Sequence, residues 1–247
     1  MKITKVTVTG ADDSVSPRSL LEIAEEFPFV EFGILLSKNQ LGCTRFPSAD
    51  WLRGLQEVCN SLPKFGINLS GHICGRWVRE ILLGKWPFDD LMELLGPDFY
   101  DHLFGRWQLN THGVTHEWRP EFISSPKQHW LREIIFQYDR ANNEVLQAAI
   151  DSGAENIFVL YDLSHGAGVL PRSWPGLIPG LRNGYAGGLS PENVFEQCKK
   201  IQLTVGEASI WIDAETHLRC ESGRFFDLHK VRDFLRNAQP FVAEAKS

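Results

Sequence analysis

The chain lacks the features that mark a disulfide-rich or a membrane-spanning protein. Its five cysteines are an odd number, and none stands in a Cys-x-x-Cys pair, so neither a disulfide framework nor a zinc knuckle is expected. No apolar run approaches the roughly 18 residues that a membrane span requires. The first residues carry no apolar segment of a secretory leader, so the expected location is the cytoplasm.

A surplus of basic residues is also missing. The 25 lysines and arginines are outnumbered by 31 aspartates and glutamates, which leaves a formal net charge of −6. Nucleic acid is therefore not an expected partner, because binding its phosphates needs a basic surface. An acidic chain can still bind a small anion through local arginines and backbone amides. The expected partner is a small-molecule substrate, with a phosphorylated sugar as the candidate, and self-association into a homo-oligomer stays open.

What the chain does contain is a repeated alternation of apolar, strand-like runs with segments of helical periodicity. These runs lie at residues 3–9, 29–36, 66–69, 106–109, 134–138, 157–162, 184–186 and 208–212. They are apolar rather than strictly alternating, as in a parallel sheet that is buried on both faces. Eight strand–helix units of about 30 residues predict an α/β fold, a single (β/α)8 TIM barrel over residues 1–247. A doubly wound open sheet is the structural alternative.

Several helix boundaries are marked by capping and breaking residues. Ser16-Pro17 is a helix start after the first strand, and Asp227 is the predicted N-cap of the last helix. Residues 77–104 form a longer insertion between the third and fourth strands. We predict that this insertion is helical, in two pieces that are broken at Pro87 and Pro97.

In a barrel of this kind, the catalytic groups lie in the loops at the carboxyl ends of the strands. Asp162 ends the apolar sixth run, where partial desolvation can tune a carboxylate for proton transfer. We therefore predict that Asp162 is catalytic, against the simpler interpretation that it caps a helix or forms a salt bridge. The other candidates at strand ends are Asp12, Asp13, Arg45, His165, Gly166, Gly168, Gly187, Gly188, Asp213, Glu215 and Thr216.

The segment from Gly187-Gly188 to Glu192 follows the seventh run and precedes a helix. Glycines let a ligand approach the backbone closely, and the free N–H groups of a helix N-terminus favour an anion. The loops after strands seven and eight form the usual phosphate site of such barrels, so anion binding is predicted here. The simpler interpretation is a tight turn with a start like a capping box.

Histidines with ligand-like spacing allow a second hypothesis. The stretch His112-x-x-x-His116-Glu117 has the i, i+4 spacing of some metal sites. Joined by His72, Asp139 and Asp162, it would make a metal-dependent isomerase or hydrolase. The strand or helix context of a metalloprotease is not evident, so the sequence predicts neither a metal nor another cofactor.

Three stretches resemble the phosphoribosylanthranilate isomerase family, barrel enzymes of tryptophan biosynthesis. The most specific is Ala186-Gly-Gly-Leu-Ser-Pro-Glu-Asn-Val194, which is similar to that family's Gly-Gly-Leu-x-Pro-Glu-Asn-Val segment. Asp162-Leu-Ser-His-Gly-Ala-Gly168 resembles its sixth-strand aspartate and the glycine-rich loop after it. Trp211-Ile-Asp213, with Ser222-Gly223 beyond it, resembles its eighth strand. The resemblance is strong over residues 157–236 and weaker before them.

This resemblance implies a TIM barrel that rearranges an N-linked aminosugar phosphate. Asp162 would be the general acid that opens the ribose ring, and Arg45 is placed like an arginine that contacts the substrate. The family's base is a cysteine at the end of strand one; this chain has Thr9 there, so Asp12 or Asp13 becomes the candidate base. The chain is thus predicted to be a diverged sugar-phosphate isomerase, or a phosphate-ligand-binding protein that has lost catalysis.

Overall fold

The fold is built on a closed barrel of parallel strands. The computed structural model describes residues 1–61, 67–85, 87–96, 103–112, 133–139, 142–153, 155–164 and 167–243. The strands are β1 Lys2–Thr9, β2 Val30–Leu36, β3 Asn68–Ile73, β4 Arg106–Leu109, β5 Glu133–Tyr138, β6 Ile157–Asp162, β7 Arg182–Ala186 and β8 Ser209–Ala214. Each strand pairs in parallel with the next, and β8 pairs with β1 to close the barrel. The predicted (β/α)8 barrel is confirmed.

Helices surround the barrel. Within the described residues they are α1 Pro17–Glu26, α2 Ala49–Ser61, α3 Arg76–Leu82, α4 Phe88–Leu95, α5 Asn143–Asp151, α6 Val194–Val205 and α7 Leu228–Ala238. Short 3-10 turns lie at Thr216–Leu218 and Gln239–Phe241. The helices α3 and α4 are the two pieces of the predicted insertion at 77–104. In the described part of the chain, no helix combines the length and the apolar character needed to cross a membrane.

The predicted caps are confirmed at α1 and α7. The side chain of Ser16 accepts the backbone N–H of Ser19, and Pro17 stands in the first turn of α1. The carboxylate of Asp227 accepts two backbone N–H groups at the start of α7, at 3.0 and 3.2 Å. Both side chains satisfy donors that a helix N-terminus would otherwise leave without a partner.

The structure differs from the expected boundaries at two strands and one connection. The strands β3 and β8 run past their predicted ends, which puts His72 and Asp213 inside the barrel rather than in the loops beyond it. The connection from β6 to β7 contains no helix in its described residues, 163–164 and 167–181. Three prolines lie between positions 171 and 179, and each removes a backbone donor that a helix needs.

One half of the barrel interior is apolar. It is a cluster, separate from the larger core between strands and helices, that consists of Ile135, Phe158, Leu160, Ala186 and Trp211. The absence of a side chain at Gly184 makes room for the indole of Trp211, because a Cβ at position 184 would lie 2.1 Å from Cε2 of that ring. The strand β7 therefore lets a large aromatic side chain fill the barrel.

The other half of the interior holds a buried ion pair. Arg106 donates to the carboxylate of Glu31 through Nε, at 2.9 Å, and through Nη2. Lys5 and Thr7 donate to the same carboxylate at 3.2 and 3.0 Å. Burial alone would raise the pKa of Glu31, but the charges of Arg106 and Lys5 outweigh it and lower this pKa to about 2. The interior carboxylate is thus held as an anion by cations from the barrel itself.

Candidate active site

A cavity of about 180 Å³ opens at the carboxyl ends of the strands, the end at which the sequence predicts the site. This volume is below the roughly 300–1,000 Å³ of typical ligand pockets, so the cavity suits only a small molecule. The predicted site residues that line it are Asp162, Gly168, Gly187, Gly188, Asp213, Glu215 and Thr216. Two other predicted residues, His165 and Gly166, lie outside the described part of the chain. The described lining contains three carboxylates and neither a lysine nor an arginine.

Asp162 is the last residue of β6, and its side chain is bound as a hydrogen-bond acceptor. Gln137 Nε2 donates to Oδ2 at 2.7 Å. The backbone N–H and the hydroxyl of Ser164 donate to Oδ1 at 3.1 and 2.7 Å. Asp162 is only 7% exposed, so the position of its carboxylate is set by these donors at the cavity wall. A carboxylate that is fixed in this way can accept a proton from a bound substrate.

Asp213 lies on β8 and is in a different environment. Thr9, at the end of the neighbouring β1, donates its hydroxyl to Oδ1 of Asp213 at 2.7 Å. Burial raises the pKa of Asp213 to about 8 against this hydrogen bond, and the nearby carboxylates of Glu215 and Asp162 add to the rise. At neutral pH Asp213 therefore carries a proton that it can donate.

Arg45 is not among the residues that line the cavity. Its guanidinium lies 2.8 Å from Oε1 of Glu215, and this ion pair joins the loop after β2 to the loop after β8. Burial raises the pKa of Glu215, while the charge of Arg45 opposes the rise. Arg45 thus neutralises a carboxylate of the lining. The predicted contact of Arg45 with the substrate stays a prediction.

The structure places Asp12 and Asp13 outside the cavity lining. The carboxylate of Asp12 accepts hydrogen bonds from Arg219, at 2.7 Å, from the backbone of Arg45 and from Ser14. Burial alone would raise the pKa of Asp12, but these donors, first of all Ser14, lower it. Asp13 binds the backbone N–H of Ser48 at 2.7 Å, just before α2. Each carboxylate holds a loop in place, and the role of Asp12 or Asp13 as the base stays a prediction.

The glycines of the β7 loop pack against protein backbone. Gly188 has a φ of +68°, and a Cβ there would lie 2.3 Å from the backbone nitrogen of Leu170. Gly187 has a φ of +103° and lies beside Asp162, with a Cβ position 3.4 Å from its Oδ1. On the far side, Gly168 contacts Thr216, and its carbonyl accepts a hydrogen bond from His217 at 2.8 Å. The glycines therefore bring the loops of β6, β7 and β8 together around the cavity.

The turn before α6 is held by Asn193, whose side chain makes no capping hydrogen bond to the first turn of the helix. The side chain of Asn193 accepts the backbone N–H of Ser190 at 3.0 Å and donates to the carbonyl of Gly188 at 2.8 Å. A hydrogen bond with Ser190 is the main cause that lowers the pKa of the exposed Glu192. These hydrogen bonds make the tight turn of the simpler interpretation, without a side-chain cap on the helix. Anion binding at this segment stays a prediction.

The histidines of the metal hypothesis have protein partners. His72 lies between Ser70 and Gln108, with ring nitrogens 3.0 and 3.3 Å from their side chains, and burial lowers its pKa to about 3. His112 lies 2.9 Å from Asp139. His116 and Glu117 lie outside the described residues. Within the described ranges, no group of three or more His, Cys, Asp or Glu residues is placed to hold a metal ion.

Two residues beside Asp162 were missed by the sequence reasoning. Gln137 and Ser164 line the cavity and supply the hydrogen bonds of Asp162. Gln137 is 6% exposed, and its Oε1 is buried without a hydrogen-bond partner in the described structure. Ile135, two residues earlier on β5, belongs to the cluster inside the barrel. Because side chains alternate along a strand, this two-residue period was the signal for Gln137.

The closed parallel barrel, with its cavity at the carboxyl ends, puts the chain in the class of TIM barrels. No family model and no curated protein matches the sequence. The fold is similar to phosphoribosylanthranilate isomerase from Thermotoga maritima, with a TM-score of 0.55 and 14% identity over 96% of this chain and 99% of that chain. It is also similar to 3-hexulose-6-phosphate synthase from Salmonella typhimurium, with a TM-score of 0.50 and 9% identity over 98% of this chain and 100% of that chain. At these identities the likeness establishes the fold alone.

Proposed function

We propose that the chain is an enzyme that isomerises a small aldose phosphate by proton transfer at the barrel mouth. Asp162 is the proton acceptor and Asp213 is the proton donor. The observation that carries this proposal is that two carboxyl groups line one cavity in contrasting environments. Asp162 accepts three hydrogen bonds, whereas the raised pKa of Asp213 keeps its proton in place at neutral pH.

The chemistry of such an isomerisation needs only these two groups. Asp162 takes the proton from the carbon next to the carbonyl, and the electrons of that C–H bond form the double bond of an enediol. The carbonyl oxygen takes the proton of Asp213. In the second half, Asp162 returns its proton to the former carbonyl carbon, and the hydroxyl of the adjacent carbon gives its proton to Asp213. The steps balance without an oxidant, a reductant or a cofactor.

This assignment differs from the role that the family resemblance implies for Asp162, which is that of the acid. The difference follows from Thr9. Where the family has a cysteine base, the hydroxyl of Thr9 donates a hydrogen bond to Asp213 and has no thiolate to offer. The second carboxyl group of the mouth, rather than a residue of the β1 loop, completes the acid–base pair.

The phosphate of the substrate is assigned to the glycine-rich side of the cavity. Gly168, Gly187, Gly188 and Thr216 line that side, and backbone amides can bind an anion without a basic side chain. Two barrel neighbours with sugar-phosphate names support the substrate class by analogy of fold.

The test is turnover by the purified chain, with phosphoribosylanthranilate and a set of aldose phosphates as substrates. We expect turnover of at least one of them, and a loss of about 100-fold or more in kcat for Asp162→Asn, since a positioned acid or base contributes on that scale. Asp233→Asn, the same change at an exposed position on α7, is the control. Absence of turnover with all of these substrates, or an Asp162→Asn variant as active as the wild type, would refute the proposal.

A further inference from the structure

A buried carbonyl oxygen without a partner lies beside the proposed proton acceptor. In the described structure, Oε1 of Gln137 is buried and makes no hydrogen bond, although the residue is 6% exposed and lines the cavity. Leaving such a group without a partner destabilises a folded protein. Native structures leave few of them, so Oε1 of Gln137 needs a partner that the described residues do not supply. A water molecule or a donor group of a ligand in the cavity would be such a partner.

The orientation of this amide is fixed from its other end. Nε2 of Gln137 donates to Oδ2 of Asp162 at 2.7 Å. If the amide were turned round, its oxygen would face the carboxylate oxygen, and the hydrogen bond would be replaced by a repulsion. Oε1 is therefore the acceptor that remains for a ligand. A ligand group that reaches it must be a hydrogen-bond donor.

The hydrogen bond between Gln137 and Asp162 also limits which group of the substrate can donate to Oε1. The amide oxygen and nitrogen of one side chain are about 2.3 Å apart, so Oε1 of Gln137 lies within about 5 Å of the Asp162 oxygen that Nε2 contacts. A donor on Oε1 is thus close to the atom on which Asp162 acts. In a sugar, that distance includes the hydroxyl groups on the reacting carbon and on the next carbon along the chain. The hydroxyl on the reacting carbon gives its proton to Asp213 in the proposed reaction, which leaves the hydroxyl on the next carbon for Oε1.

We propose that Gln137 determines the substrate specificity of the site by accepting a hydrogen bond from the hydroxyl group of the carbon adjacent to the one that Asp162 deprotonates. This inference rests on the proposed isomerisation and deepens it. In an aldose phosphate the hydroxyl is that on C3, which keeps its proton throughout the reaction. A substrate without it leaves Oε1 of Gln137 buried and unpaired, which is how polar sites reject deoxy analogues.

The test compares two probes, D-ribose 5-phosphate and its 3-deoxy analogue, by isothermal titration calorimetry. We expect the wild type to bind the 3-deoxy analogue roughly tenfold or more weakly. We expect Gln137→Met, which has a side chain of similar length and no carbonyl, to bind both probes with one affinity. Gln202→Met makes the same change at an exposed position on α6 and should discriminate as the wild type does.

Each other outcome is informative. A purely structural role of Gln137 would weaken both probes by the same factor, so continued discrimination by Gln137→Met would overturn the inference. Equal binding of the two probes by the wild type would overturn it as well, even if the variant did not fold, and would leave the proposed isomerisation standing. Binding of neither probe by the wild type would overturn both the inference and the aldose phosphate proposal.

Discussion

Asp213 illustrates how the surroundings of one side chain decide its chemistry. It is 6% exposed, it accepts the hydroxyl of Thr9, and two further carboxylates lie in the same cavity. Burial raises its pKa to about 8, with Glu215 and Asp162 adding to the rise. A carboxyl group with this pKa is protonated at neutral pH. Because the same group would ionise in the unfolded chain, its raised pKa lowers the free energy of unfolding at neutral pH.

The first prediction concerns Asp213→Asn, which removes the ionisation and keeps an acceptor for Thr9. Because folding raises this pKa, the contribution of Asp213 to stability is fully present below its unfolded value near 4. It is lost as the pH rises towards about 8. The free energy of unfolding of the wild type, relative to the variant, should therefore fall by at most about 1.4 kcal/mol per pH unit between these values. Urea unfolding at pH 5, 7 and 9 measures this; parallel pH profiles would contradict it.

The sequence predicts which residues line the cavity where an apolar run shows the end of a strand. Asp162 and Asp213 follow apolar runs, so their place in the lining followed from the fold. The partners of each carboxylate were not predictable. The sequence makes Asp12 a catalytic candidate, and it gives no sign that the carboxylate is bound by Arg219, which is 207 positions away in the chain. Contacts at that separation leave no local pattern in the sequence.

At the scale of secondary-structure elements, the ion pair between β2 and β4 links two strands across the barrel interior. The second prediction is that Glu31→Gln lowers the free energy of unfolding by about 3–5 kcal/mol at pH 7, because the buried Arg106 loses its nearest counter-charge and keeps only the longer contact with Glu133, at 3.9 Å. The double variant Glu31→Gln/Arg106→Met should recover much of that loss. Denaturant unfolding of the double variant and of the two single variants, Glu31→Gln and Arg106→Met, tests this. A loss of stability in the double variant equal to the sum of the losses in the two single variants would count against it.

The same pair has a pH dependence of opposite sign to that of Asp213. Folding lowers the pKa of Glu31 to about 2, so its stabilising contribution is present above the unfolded value and is lost as the pH falls through about 2. The difference in stability between the wild type and Glu31→Gln should accordingly shrink in acid below about pH 4.

The third prediction concerns the packing of β7 against β8. A Cβ on Gly184 would lie 2.1 Å from the ring of Trp211, so Gly184→Ala forces that indole or the strand to move. We expect a loss of about 1–3 kcal/mol of stability, the usual range for an overpacked core. Gly176→Ala is the matched control, because a Cβ there would meet nothing within 4 Å. Thermal unfolding measures both; equal melting temperatures for the two variants would refute this packing argument.

The elements themselves were largely predictable from apolar runs and caps, with one instructive exception. The expected helix between β6 and β7 is absent from the described residues of that connection, 163–164 and 167–181. The strand–helix alternation favoured a helix there, yet the prolines between 171 and 179 prevent one. In that segment the prolines decided the local structure, rather than the strand–helix alternation of the rest of the barrel.

At the scale of the whole molecule, the barrel strands hold the side chains in place, and the loops at their carboxyl ends form the cavity of the candidate site. The similarity to phosphoribosylanthranilate isomerase extends over 96% of the chain at 14% identity, which establishes a shared architecture. TIM barrels carry many unrelated reactions, so the function has to be argued from the site. Here that site is a small, carboxylate-lined cavity in which Asp162, Asp213 and Gln137 lie together.

The most direct test of the acid–base account is solvent exchange during turnover. D-ribose 5-phosphate is incubated with the chain in D2O, and the C2 hydrogen and the ketose product are followed by proton NMR. We expect the wild type to form a ketose that carries deuterium at C1, because part of the C2 proton that Asp162 accepts exchanges with D2O before Asp162 returns it to C1. Asp162→Asn should form the ketose about 100-fold more slowly or not at all. Ketose formation that is as fast with Asp162→Asn as with the wild type would contradict proton transfer through Asp162.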